Sequence, residues 1–193
     1  EAESNMRRTW LLWYWRLPGI EITPELGRGI GWLGPTKFAL DLYSPGDDRG
    51  SEYAIHRYFV TQESDTVYTT TDPEEFLGVG PAGLEPNRPS NWPTTRKWDD
   101  GNAQILNSAI GYRDQPYLRL AETYLLLAEA QHRLGNNSEA VETLNILRKR
   151  SSAPEILAGD VSIDFILDER SRELLAEEHR RYTLLRLDKW LER

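Results

Sequence analysis

Cysteine is missing from all 193 residues. That removes disulfides, zinc–thiolate sites, cysteine nucleophiles and any lipidated cysteine within the chain. Long apolar runs are missing too; none nears the roughly 20 residues of a membrane-spanning helix. Positive charge is in the minority, 23 Lys and Arg against 31 Asp and Glu, for a net charge of −8. This argues against nucleic acid, because phosphate binding needs clustered cations. Histidine occurs only at His56, His132 and His179. They form no HExxH motif and no pair at ligand spacing, so no metal and no cofactor is expected. The phosphate-loop, dinucleotide and GxSxG fingerprints are absent. Asp47-Asp48-Arg49-Gly50 lacks the alternating oxygen ligands of a calcium loop. The opening residues, Glu1-Ala2-Glu3-Ser4-Asn5, are acidic and polar, unlike a secretory leader.

What is present suits a globular chain: 39% hydrophobic and 28% charged residues, with seven Trp and nine Tyr. The clearest pattern runs from Tyr117 to Arg150 and predicts two antiparallel helices, 117–134 and 137–150. Tyr117, Leu120, Ala121, Tyr124, Leu127 and Ala128 recur at helical spacing, which predicts one buried face. Leu118, Leu125, Leu126 and Ala130 widen the apolar surface, so burial on most sides is expected. Gly135 suits the left-handed cap, and Asn136 with Glu139 resembles a capping box. Ala140, Val141, Leu144 and Leu147 supply the second helix's apolar face. The spacing is that of a tetratricopeptide unit, without a second copy at the period of about 34 residues. A lone unit cannot bury its apolar face by itself.

The tract 1–116 is loop-rich. Residues 6–16 are dense in aromatics and fit either a strand or a short helix. Residues 38–43 fit a helical turn or strand, and 53–60 with 67–71 a small β-hairpin. Five prolines punctuate 72–101. After Pro154, helices are expected at 163–178 and 182–191. The expected fold is therefore mainly α with long irregular segments. A tetratricopeptide-like hairpin and C-terminal helices make up 117–193, wrapped by the loop-rich tract.

Five stretches, in order, resemble the SusD/RagB family of outer-membrane nutrient-binding lipoproteins. They are Leu17-Pro18-Gly19 with Gly27-Arg28; Pro35 to Tyr43 with Asp47-Asp48-Arg49; and Trp92 to Asp99. The fourth runs from Arg119 to Ala130 and on to Leu144-Asn145 and Arg148. The last is Ile166 to Arg170, Arg172-Glu173-Leu174, His179-Arg180 and Leu184. Glu178 and Thr183 depart from the pattern, standing where Gly and Asp are usual. The resemblance implies a single C-terminal fragment, 1–193, of a longer protein. Its missing N-terminal part would carry the lipid anchor at the cell-surface face of the outer membrane. It implies non-catalytic capture of a glycan or other nutrient and delivery to a SusC-like TonB-dependent transporter. Oligopeptide capture, or a tetratricopeptide adaptor that binds protein, are the alternatives.

Two groups of residues invite a chemical role. Asp168, Glu169, Arg170, Arg172, Glu173, His179 and Arg180 form the densest charge cluster. An acid/base pair would need a carboxyl free to hold a proton, and each of these has an arginine at hand, so a structural network is expected. The tryptophans point to a ligand, because indole faces stack on the C–H faces of sugars. Trp32 and Trp92 are the first candidates, with Trp13 and Trp15 behind them. The family's binding residues lie outside its shared motifs, so the resemblance assigns none of these four.

Overall fold

Helices and short strands alternate with irregular backbone along the chain. The computed structural model describes residues 6–61, 67–69, 92–99 and 114–192. The chain divides into two units. The first comprises Glu1–Gln115 with Ser151–Ala153, the second Pro116–Arg150 with Pro154–Arg193. The fold is mainly α with long irregular stretches, and among the described residues its strands are two or three residues long.

In the first unit, α1 spans Met6–Trp10 and a 3₁₀ turn spans Tyr14–Arg16. The aromatic stretch 6–16 thus forms two short helical pieces with residues 11–13 irregular between them, and no strand. α2, Lys37–Asp41, starts where the Thr36 hydroxyl accepts from the Ala39 N–H, an N-cap bond. β2 (Tyr58–Val60) pairs antiparallel with β3 (Val67–Thr69), so the expected hairpin forms, shorter than 53–60 with 67–71. Residues 70 and 71 lie outside the described residues. Upstream, β1 (Ile55–His56) takes a different and distant partner, β4 (Thr94–Thr95). Leu11, Leu12, Tyr14, Leu17 and Phe59 form this unit's core, with Trp15 and Tyr68 packed against it. Tyr14 and Phe59 stack at 5.3 Å. Ser151–Ala153 belong here by two bonds: the Asp48 N–H donates to the Ser151 carbonyl, and the Ser152 hydroxyl donates to the Asp48 carboxylate at 2.7 Å.

In the second unit, α3 (Leu120–Arg133) and α4 (Asn137–Arg150) form the expected hairpin. Gly135 has a φ of 84°, the left-handed cap that only glycine takes without steric cost. α4 starts one residue after Asn136, whose carbonyl accepts from the Ala140 N–H. The buried stripe of α3 differs from the expected one. Ala121, Leu125 and Ala128 are enclosed with Tyr124 packed beside them, while Tyr117, Leu120 and Leu127 are exposed. The reason is steric. Alanines at 121 and 128 let α4 and α5 approach along their arc, and the leucines to either side are left outside it. α4 contributes Ala140, Leu144 and Leu147, with Val141 partly buried against them.

α5 spans Ile163–Glu173, capped by the Ser162 hydroxyl, which accepts from the Phe165 N–H. It stops five residues short of the expected 178. The Glu173 carbonyl, which would accept from the Glu177 N–H in a longer helix, accepts instead from Arg119 at 2.7 Å. The Glu177 and Glu178 N–H groups both turn to Leu174, and Ala176 sits at a φ of 64°. α6 covers Arg180–Arg186, not 182–191. Leu184 is buried, Leu191 is exposed, and Asp188 at a φ of 54° follows the end of the helix.

Candidate functional site

The tryptophans of the first unit are positioned by backbone pairing between residues 8–15 and the glycine-rich stretch 27–33. The Ile30 and Gly31 N–H groups donate to the Arg8 carbonyl, and the Leu33 N–H to that of Thr9. The Tyr14 hydroxyl donates to the Gly27 carbonyl at 2.6 Å, and the Trp15 indole N–H to that of Gly29 at 2.9 Å. Burial pushes the Tyr14 hydroxyl up to about 12, against the smaller opposing pull of hydrogen bonds from Thr23.

Trp32 projects from this stretch with 65% of its surface exposed. The Arg8 guanidinium lies 5.5 Å from its ring centroid. Trp13 is 8% exposed and meets Trp15 edge to face, with centroids 5.5 Å apart. Arg16 lies 3.7 Å from the Trp13 centroid, and Arg28 5.2 Å from that of Trp15. Trp92 is half-buried against Gly34; a Cβ there would come within 2.7 Å of the indole, so glycine is what admits the ring. Trp32, Trp13 and Trp15 thus each have an arginine over the ring, and Trp32 is the one that is largely exposed.

The charge cluster lies in the second unit and is a lattice of ion pairs. Glu169 is fully buried and accepts from Arg148 at 2.6 Å and Arg172 at 2.8 Å. Both of these guanidinium groups also lie within 5.5 Å of the Phe165 ring centroid. Glu173 accepts from Arg119 at 2.7 Å and Arg150 at 2.6 Å. Arg119 also donates to Glu177. Burial alone would lower the Arg119 pKa, but its bonds to Glu177 and Glu173 prevail and raise it. Arg170 joins Glu178 to Glu122. Arg180 donates to the Leu167 carbonyl at 2.8 Å. Asp168 is half-buried, and His179 is exposed at the start of α6. Beyond the sequence-defined cluster, Glu129 is gripped by both Arg186 nitrogens at 2.6 Å, with Arg133 at 3.0 Å. The Arg186 bonds are the chief reason the Glu129 carboxyl lies below the usual carboxylate range. Glu169 and Glu173 each accept from two arginines, so both carboxylates are taken up by structural ion pairs.

Sequence reading passed over a cleft of about 350 Å³ lined by Glu52, Tyr53, His56, Arg57, Tyr58 and Arg96. His56 and Arg96 are fixed on Asp99 at 2.9 and 3.1 Å, and Arg96 also reaches Glu25. Tyr53 and Tyr58 are exposed. Their spacing gave only a strand pattern; the cleft arises from β1 pairing with β4 some forty residues later.

Residues 47–192 match the model of the SusD family. Over 85 residues the chain is 39% identical to the SusD-like protein P38 of Formosa agariphila, covering 38% of this chain and 17% of that protein. A solved structure of BT4246 superposes with a TM-score of 0.54 at 18% identity, covering 97% of this chain and 38% of the other. A structure of selenomethionine BT4246 gives a TM-score of 0.45 at 29% identity, covering 60% and 21%. The chain thus spans less than two-fifths of the length of these relatives.

Proposed function

The chain belongs to the SusD family, and from that membership we propose that it takes part in non-catalytic capture of a nutrient, foremost a glycan, at the bacterial outer surface. The captured ligand passes to a SusC-like TonB-dependent transporter, and the whole protein is held at the outer membrane by a lipid. The family match over residues 47–192 carries this reading. The exposed indole of Trp32 supports it, since a rigid ring that is open to solvent in the free protein can stack on a sugar at little entropic cost. Trp92 serves as a second contact, and Trp13 and Trp15 act from beneath. The paired carboxylates of α5 are consistent with binding without catalysis.

Calorimetry of the longer protein against a panel of neutral and charged oligosaccharides tests the proposal. We expect at least one to bind in the micromolar range and Trp32→Ala to weaken it about tenfold, the loss of about 1.4 kcal/mol. Peptide binding without glycan binding would favour oligopeptide capture instead. The exposed Leu120, Leu126 and Leu127 on α3, with Leu118 just before it, support a further reading, a protein-binding face on the hairpin. Leu120→Glu with Leu127→Glu tests it: loss of the transporter interaction with glycan affinity intact would assign this face to a protein partner.

A further inference from the structure

Most arginines singled out above have carboxylate partners. Arg49, Arg96, Arg119, Arg148, Arg170 and Arg186 all form ion pairs. Arg16 and Arg28 are different. Both are exposed, and among the described residues neither forms an ion pair, in a protein with acidic groups to spare. They share one indole instead. Their guanidinium carbons lie 5.8 and 5.2 Å from the Trp15 ring centroid, so they stand no further apart than the sum of those distances. Arg16 also rests 3.7 Å from the Trp13 centroid. The platform is fixed: Trp13 is buried, and the Trp15 indole is bonded to the Gly29 carbonyl at 2.9 Å.

Two exposed cations on one ring without an acid partner leave positive charge uncompensated at this spot, and an anion that reaches them offsets it. Stacking on an indole orients the planar guanidinium while its N–H donors remain available to a ligand, so little freedom is lost when a bond forms. A carboxylate or sulfate accepts two such donors side by side, with a strength beyond that of a neutral hydroxyl. Trp32 follows Arg28 by four residues on the same glycine-rich stretch, placing an open ring on the segment that carries one of the cations.

We propose that Arg16 and Arg28, presented by Trp13 and Trp15, form an anion subsite, and that the ligand is an acidic saccharide whose carboxylate or sulfate lies between the two guanidinium groups. The inference rests on the glycan-binding reading and narrows it to charged sugars. The indoles beneath Arg16 and Arg28 serve to hold those cations, and the exposed surface of Trp32, beside Arg8, is what a sugar ring can meet.

The test is a tryptophan-fluorescence titration, supported by affinity electrophoresis, of the longer protein that contains this chain. The probes are polygalacturonate, its fully methyl-esterified form, dextran sulfate and dextran. The expected result is that at least one charged polymer binds about tenfold more tightly than its uncharged counterpart and weakens as salt rises. Whichever charged polymer binds identifies the anionic group as carboxylate or sulfate. Arg16→Gln and Arg28→Gln should each lose about tenfold. Arg16→Lys should keep part of the affinity, because the charge stays and the fork is lost. Arg181→Gln, which removes a cation from the second unit, should change nothing; thermal melts confirm that every variant folds. Equal binding of charged and uncharged polymers would overturn the inference and leave the glycan reading standing. So would charged-polymer binding that survives both glutamine variants. Binding of none of the four polymers would overturn the inference and count against the glycan reading as well.

Discussion

Tyr14 and Glu173 show at the residue scale how a single group fixes its surroundings. The Tyr14 hydroxyl is enclosed and bonded to the Gly27 carbonyl, and its pKa rises from 10.0 to about 12. A raised folded pKa means that the stabilisation is complete below pH 10 and is lost as pH climbs through 12, at about 1.4 kcal/mol per unit. Tyr14→Phe should lower stability at neutral pH by about 1–2 kcal/mol, since it leaves a buried carbonyl without its donor. The variant should also lose the alkaline slope in that window; urea melts from pH 8 to 12 that keep the wild-type slope would assign the titration to another group. Glu173 is 2% exposed and accepts from two arginines. Glu173→Gln should cost about 2 kcal/mol or more, because two guanidinium groups lose their shared charge. Glycan affinity should not move with it. Reduced affinity at an unchanged melting temperature would place Glu173 in a binding site.

At the scale of elements, the α3–α4 hairpin turns on its alanines. Ala128 and Ala140 are fully enclosed, and the two helices approach across them. Ala128→Trp should overpack that contact and cost about 1–3 kcal/mol or more. A thermal melt unchanged within error would mean that the helix rotates to expose the new ring. The hairpin's turn and its second helix were legible in sequence because periodicity and Gly135 act locally, whereas the first helix starts at Leu120, three residues after the expected 117. The buried face was not legible, since it depends on where α4 and α5 lie, and the leucines of α3 offer apolar positions on several sides. The end of α5 was hidden for a similar reason: Arg119, 54 residues earlier, takes the carbonyl that would have continued the helix. The partner of β1 was equally out of reach, since residues 94–95 carry no pattern that names it. Among candidate site residues, composition flagged the tryptophans, but Arg8, Arg16 and Arg28 lying over them depends on backbone pairing between 8–15 and 27–33. An arginine without a carboxylate partner is a fact of space that no spacing rule reports.

At the scale of the whole molecule, the chain covers 38% of the BT4246 chain it superposes on, and a binding surface assembled from loops of a longer protein would be incomplete here. Loops that lack the groups they face must be ordered on binding, which costs affinity. We expect the 193-residue chain to bind its sugar in the millimolar range, near −4 kcal/mol, and the longer protein to bind far more tightly. Micromolar affinity of the chain by itself in calorimetry would locate the complete site within these residues.

Ser151–Ala153 carry a consequence for how such a chain can be inherited. The backbone leaves the helical unit after Arg150, spends three residues with the other unit, bonded at Asp48, and returns at Pro154. Neither unit is therefore a contiguous stretch of gene. A single recombination crossover near codon 116 would transplant the helices together with three residues whose partner stayed behind, and would leave the donor's Asp48 without them. Exchange of either unit between genes requires several coordinated crossovers or a recipient that already supplies the equivalent bonds. Shuffling at this junction is thus confined to relatives that share the same short excursion.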